Sequence, residues 1–182
     1  MHPNFLAVCR RDWLKQGLGW LCGLALGSET WAAGEGLPSV LSLPQALEKA
    51  LAQGQPLLVM VSLEGCVYCK MARQSHLVPM FKQGQPMVQV DMRSSQSVVD
   101  FSGNPTTHDQ LTRAWKISVA PTLLFFGKGG REVAERMEGA YLPDFYGAYL
   151  DEQLVIARQA VAANKQSQAR TKLFAAELGR IS

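Results

Sequence analysis

The sequence predicts one α/β domain in which a mixed central sheet is flanked by helices. Helical and strand-like patterns alternate from Ser42 to about Ala162. Leu57-Leu58-Val59-Met60-Val61 is an apolar run without polar alternation, the pattern of a strand covered on both faces. Gly127-Lys128-Gly129-Gly130 separates two extended runs as the turn of an antiparallel hairpin, so the sheet mixes parallel and antiparallel pairs.

The elements follow in order. Ser42 can cap a first helix, Pro44 suits its first turn, and Leu43, Leu47, Ala50 and Leu51 share a face before Gly54 and Pro56 end it. After the strand at 57–61, Gly65-Cys66 turns into a second helix reaching about Pro79. Met87-Val88-Gln89-Val90 forms a further strand, and Thr107 to Trp115 a helix with Asp109 in its first turn. Between them, Ser94–Thr107 is a long Ser/Asn/Thr/Gly-rich connection of the kind that borders a site or is mobile. Leu123–Phe126 and Glu132-Val133-Ala134 make the hairpin, and Pro143-Asp144 opens a last helix through roughly Ala162. Residues 164–182 form a basic tail, read as a frayed helix or flexible end.

The chain has 182 residues, 47% hydrophobic and 18% charged, a globular composition that excludes a disordered or collagen-like chain. Its net charge of +3 is too small to imply a nucleic-acid partner. Residues 1–32 read as an export signal, with Arg10, Arg11 and Lys15 ahead of an apolar run from Gly17 to Gly27 and small residues near Ala32. As a helix that run would rise about 16 Å at roughly 1.5 Å per residue, short of a bilayer core about 30 Å thick. Arg10-Arg11-Asp12-Trp13-Leu14-Lys15 resembles a twin-arginine motif, an address read by a receptor. Leu21 before Cys22 argues against lipid attachment. Cleavage near Ala32 would remove Cys9 and Cys22 and leave a domain at 33–163 with two cysteines, Cys66 and Cys69.

These two carry the chemistry. Cys66 falls where a buried strand hands over to a helix, and unpaired N–H groups and the positive dipole end of a helix N-terminus stabilise a thiolate, the reactive form. Cys69 lies nearly one helical turn on, within reach of a disulfide, and would resolve a mixed disulfide. Haem attachment would need histidine after the second cysteine, where Lys70 stands. A zinc site would need two more ligands, and the mature chain offers His76 and His108 with no third cysteine. No metal and no cofactor beyond the dithiol is expected. A purely structural disulfide stays the alternative, although so small a loop adds little stability. His76, on the same helix as the pair, is read as packed or hydrogen-bonded, and His108 as capping or exposed.

From about Ser42 to Ala162 the chain resembles thioredoxin-fold thiol–disulfide oxidoreductases, and in particular small exported ones. Cys66-Val67-Tyr68-Cys69-Lys70 after a buried strand and Val119-Ala120-Pro121-Thr122 before a later one carry the resemblance. It implies a cis proline at Pro121 beside the dithiol, with Ala120, Pro121, Val67 and Tyr68 binding substrate and Gly139 beside the site. The sequence also departs from thioredoxins: Gly65 replaces the tryptophan before the first cysteine, and Met60 replaces a buried aspartate six residues before it. Glu64 nearby is read as a surface carboxylate. Tyr68 between the cysteines is closer to glutaredoxins and periplasmic disulfide isomerases.

The span from Asp91 to Pro121 is too short for the helical insertion of periplasmic oxidases, and about ten residues between Ala32 and the first helix leave no room for an isomerase dimerisation domain. The expectation is therefore a periplasmic, monomeric reductase of protein disulfides, re-reduced by a membrane thiol-transfer protein. Apocytochrome c or a sulfur-oxidation carrier protein would be possible substrates by the same resemblance. The rival is a non-catalytic thioredoxin-fold binding or chaperone module, or, within the enzyme class, an oxidase or isomerase.

Overall fold

A computed structural model describes residues 36–139 and 143–178, all within one unit of the chain, Ala33–Ser182. The expected export signal, with Cys9 and Cys22, lies outside the described residues. In chain order the elements are α1 (Leu43–Ala52), β1 (Leu57–Ser62), α2 (Val67–Ala72), a π-helical turn (Arg73–Leu77), α3 (Val78–Lys82), β2 (Met87–Asp91), β3 (Ser97–Val99), β4 (Pro105–Thr107), α4 (His108–Ala114), β5 (Thr122–Gly127), a short 3-10 turn (Lys128–Gly130), β6 (Arg131–Glu132), β7 (Met137–Glu138) and α5 (Pro143–Leu178).

The apolar run predicted as a buried strand is the centre of the sheet. β1 pairs in parallel with β2, Leu58 opposite Met87 and Ser62 opposite Asp91, and antiparallel with β5, Leu57 opposite Phe126 and Val61 opposite Thr122. The order is β2-β1-β5-β6, with β7 also on β5. Side chains of a strand alternate between its faces, so β1 feeds two cores. Leu58 and Met60 join Cys69, Leu77, Leu123, Phe125 and the α5 residues Tyr146, Leu150 and Leu154. Leu57, Val59 and Val61 join Leu43 and Leu47 of α1, Leu111 of α4, Leu124 and Phe126. At roughly 1.5–3 kcal/mol per fully buried large apolar side chain, these two layers are the main favourable term in folding.

α1 starts as expected, with Ser42 Oγ accepting from the Gln45 N–H. The second helix runs past Pro79 to Lys82 through the π turn. Proline has no N–H to donate and its ring crowds the carbonyl four residues back, and the wider π turn before Pro79 accommodates both.

Other expectations are corrected. The 94–107 connection has structure of its own: β3 and β4 pair as an antiparallel hairpin, Ser97 opposite Thr107. Its turn is tied by Asp100 Oδ1, which accepts from the Ser102 and Asn104 N–H groups, both at 2.8 Å. Phe101 anchors it to the sheet, its ring centroid 4.6 Å from that of Phe126. The strand expected at Glu132-Val133-Ala134 is split. Between the Phe126–Glu132 and Leu123–Met137 pairs, two residues of β5 face four of the partner chain, a bulge. Arg136 within the bulge pairs with Glu132 and donates to the Trp115 carbonyl at 3.0 Å. The last helix continues beyond Ala162 to Leu178, because residues 163–178 contain no glycine or proline and are mostly tolerant of helix.

His108 is neither capping nor exposed. Its residue exposure is 0%; Nδ1 accepts from the Asp91 N–H at 3.1 Å and Nε2–H donates to the Val40 carbonyl at 3.1 Å. One neutral ring thereby ties α4 to β2 and to the N-terminal edge segment. Thr107 is the cap, accepting from the Gln110 N–H. The sequence places a histidine just after a good cap residue, and nothing local in it reports the partners on Val40 and Asp91.

Two stability measurements follow from these contacts. His108→Leu leaves a buried donor and a buried acceptor without partners and should cost about 2–5 kcal/mol in denaturant unfolding. Burial pushes the Tyr146 phenol from 10.0 to about 12. Between these values the unfolded chain loses a proton that the native chain keeps, so stability falls as pH rises through that window. The loss is on the order of 2–3 kcal/mol, at about 1.4 kcal/mol per pH unit. Unfolding midpoints from pH 9.5 to 12 should show a shallower fall in Tyr146→Phe than in the parent protein.

Candidate active site

β1 delivers the chain to its C-terminal end at Ser62, and Leu63-Glu64-Gly65 turns it into α2. The Cys66 N–H closes that turn on the Leu63 carbonyl at 3.2 Å. Gly65 has φ 72, a left-handed conformation that costs other residues about 1–2 kcal/mol, so the glycine in place of tryptophan has a backbone reason.

Cys66 is the N-cap of α2. Its Sγ accepts from the Cys69 N–H at 3.1 Å and forms a disulfide with Cys69, the two Cα atoms 5.2 Å apart. The sulfurs differ in surroundings: Cys66 is partly exposed, whereas Cys69 is 1% exposed and packs in the core cluster with Met60, Ala72 and Leu77. A backbone N–H aimed at Cys66 Sγ favours the thiolate once the bond is reduced, as an amide donor to an anion does at any helix start. Among the described residues, no such donor meets Cys69 Sγ. Met60, also 1% exposed, lies in the same buried cluster, and Glu64 is a surface residue.

The second motif folds against the first. Cys66 Sγ lies 3.8 Å from the Ala120 carbonyl, the Ala120–Pro121 bond is cis, and Pro121 is buried. Thr122 Oγ1 donates to the Val119 carbonyl at 2.7 Å, and the Gly139 N–H donates to the Pro121 carbonyl at 2.7 Å. Gly139 has φ 77, the conformation that glycine permits. Val67 and Tyr68 stand at the same end of the sheet, 67% and 59% exposed. The structure thus gathers Cys66, Cys69, Ala120 and Pro121, with Val67 and Tyr68 on the rim. His76 is kept apart, packed on Tyr146 with ring centroids 5.2 Å apart. Among the described residues, no group of three His, Cys, Asp or Glu side chains is placed to hold a metal.

Sequence reasoning did not find the cleft on the β2 side of Cys66. It is lined by Ser62, Glu64, Lys70, Arg73 and the Asp91–Ser95 turn. Arg73 Nη2 donates to Ser62 Oγ at 2.8 Å. The spacing of Cys66, Lys70 and Arg73 at i, i+4 and i+7 on one helix was the available signal.

No curated protein matches the chain. Among solved structures it is similar to oxidised mitochondrial thioredoxin 3 of Saccharomyces cerevisiae, at 17% identity and TM-score 0.42, over 65% of this chain and 92% of that one. It is also similar to Trxlp of Edwardsiella tarda, at 24% identity and TM-score 0.39, over 58% and 91% of the two chains. The periplasmic thioredoxin SoxS of Paracoccus pantotrophus matches at 20% identity and TM-score 0.39, over 57% of this chain and 99% of its own. The model of the thioredoxin-like domain matches residues 43–154, more than half of the chain and every element from α1 into α5. The fold is that of thioredoxin, its CxxC pair stands at disulfide distance where thiol–disulfide exchange would use it, and the chain belongs to the thioredoxin-like domain family.

Proposed function

We propose that the protein is an exported reductase of protein disulfides that works through Cys66 and Cys69. The observation that carries this is the asymmetry of the pair: a partly exposed sulfur that receives a backbone N–H, bonded to one buried in the core. In the reduced protein the Cys66 thiolate attacks one sulfur of a substrate disulfide, and the departing substrate sulfur takes a proton. Cys69 then attacks Cys66 Sγ, forms the Cys66–Cys69 bond and releases the second substrate thiol. Two electrons pass from the dithiol to the substrate. Ala120 and Pro121 hold the substrate segment on one side of the dithiol, and Val67 and Tyr68 supply exposed apolar contact on the rim.

The region between β2 and β5 supports a small reductase over an oxidase of the periplasmic type, since it holds the β3–β4 hairpin and α4 in place of a helical domain. Residues 1–32 carry the export reading on their sequence pattern alone, by the twin-arginine route to the periplasm. There the oxidised protein would be re-reduced by a membrane thiol-transfer protein, and apocytochrome c and a sulfur-oxidation carrier protein are the candidate substrates. The protein acts as a monomer.

Insulin reduction should be lost, by 100-fold or more, in Cys66→Ser, while Cys69→Ser should accumulate mixed disulfides visible on non-reducing gels. Retained turnover in Cys66→Ser would sink the assignment of Cys66 as the nucleophile, and a parent protein that does not reduce insulin would leave the binding-module reading. A reduction potential as oxidising as that of a dedicated oxidase would reverse the proposed direction of electron flow. A reporter fused to residues 1–35 should fail to reach the periplasm in cells lacking the twin-arginine translocase, and undiminished export there would refute that route.

A further inference from the structure

α5 is 36 residues long, and only its first half has a core to lie on. Tyr146, Leu150, Leu154, Ala157 and Val161 are buried along one face. From Ala162 to Thr171 the residues are exposed, apart from a half-buried Asn164. Most helical stability in proteins comes from packing one face, so a bare extension calls for cover. The first half is bare too, on the flank of its buried face. There Phe145, Tyr149 and Ile156 are 66%, 40% and 42% exposed, at the spacing that puts them in one stripe. Two carboxylates stand with them: Glu152 in the stripe, exposed, and Glu135, which accepts from the Tyr149 hydroxyl at 3.2 Å.

In steps of three and four residues the stripe runs on through Ala160, Ala163 and Ser167 to Arg170, and the helical period carries it to Phe174 and Leu178. It is complementary to itself run backwards. The lengths agree: Phe145 to Ala160 and Ala163 to Leu178 each rise about 23 Å at roughly 1.5 Å per residue. The charges oppose. Residues 143–156 carry Asp144, Asp151 and Glu152 and no basic residue, whereas 163–178 carry Lys165, Arg170 and Lys172 against Glu177. The sizes fit as well. About a centre between Val161 and Ala162, the small Ala160 and Ala163 come opposite each other, where two backbones approach closest. Phe145 and Tyr149 then come opposite Leu178 and Phe174.

We infer that two copies of the chain associate through an antiparallel α5–α5 pair, in which the extension of each copy covers the exposed flank of α5 in the other. The contact is isologous, the same patch on both copies, and it closes at two. Glu152 of each copy meets Arg170 of the other, so one ion pair is made twice by symmetry. A parallel pair would set the acidic halves side by side and the basic halves side by side, which charge disfavours. Each copy keeps a complete Cys66–Cys69 site. The single chain therefore stays the chemical unit, and the association stands apart from the direction of electron flow.

The test is sedimentation equilibrium of the full-length protein from about 1 to about 100 µM, a range in which a weak dimer assembles by mass action. The parent protein should pass from one chain mass to twice that mass, and added salt should weaken the association. Ala163→Arg, at an exposed position outside both cores, puts a long charged side chain at the closest approach and should weaken association about tenfold or more. Glu152→Arg and Arg170→Glu should each weaken it about fivefold, the order expected of two symmetry-related surface ion pairs turned repulsive. The two reversals on one chain should restore it. Val155→Gln, exposed but off the stripe, should leave it where it was. A protein that keeps one chain mass throughout, as it would if a different protein covers this face, overturns the pairing. So does a dimer that Ala163→Arg and both single reversals leave intact, or one that the double reversal fails to restore.

Discussion

β1 is hydrogen-bonded along both edges and covered on both faces, and the placement of the dithiol depends on that double constraint. A strand held in this way cannot slide by one residue without exchanging its two cores, since its side chains alternate between them. Its C-terminal end is therefore fixed in depth and rotation, and with it the start of α2. Four residues past the strand, Cys66 stands at a helix start with one sulfur lone pair on an N–H and its partner cysteine driven into the core. The cis Ala120–Pro121 segment is held to the same strand, because it leads directly into β5.

The asymmetry of the two sulfurs has a chemical cost on the buried side. Cys69 must lose a proton to resolve a mixed disulfide, and it is buried in the apolar cluster that also holds Met60, Ala72 and Leu77.

Much of this architecture was legible in the sequence because its signals are local. An uninterrupted apolar run, Ser42 with Pro44 at a helix start, and two cysteines three positions apart each report a structure within a few residues of themselves. What escaped was set by distant contacts. His108 reads as a polar residue at a helix start, and only the approach of Val40 and Asp91 buries it. The split of the second hairpin strand depends on Arg136 finding Glu132 and the Trp115 carbonyl. The extension of α5 to Leu178 escaped for a different reason: polar residues without a buried stripe read as tail, although nothing among them breaks a helix. The cleft was missed because Arg73 meets Ser62, and shares a cleft with Arg93, only across the ends of two strands.

Gly65 carries one more consequence. A Cβ there would meet no atom within 4 Å, so no crowding keeps a larger residue out, and the obstacle is the backbone torsion alone. Any bulky replacement must either accept left-handed strain or rotate the turn, and rotating the turn withdraws the Cys66 N–H from Leu63. An aromatic lid before the first cysteine is thus disfavoured by the backbone torsion and not by any side-chain contact. The approach to Cys66 from the β2 side stays unroofed as a property of the main chain, and substitutions drifting in elsewhere along the rim can retune which molecules enter without closing the door.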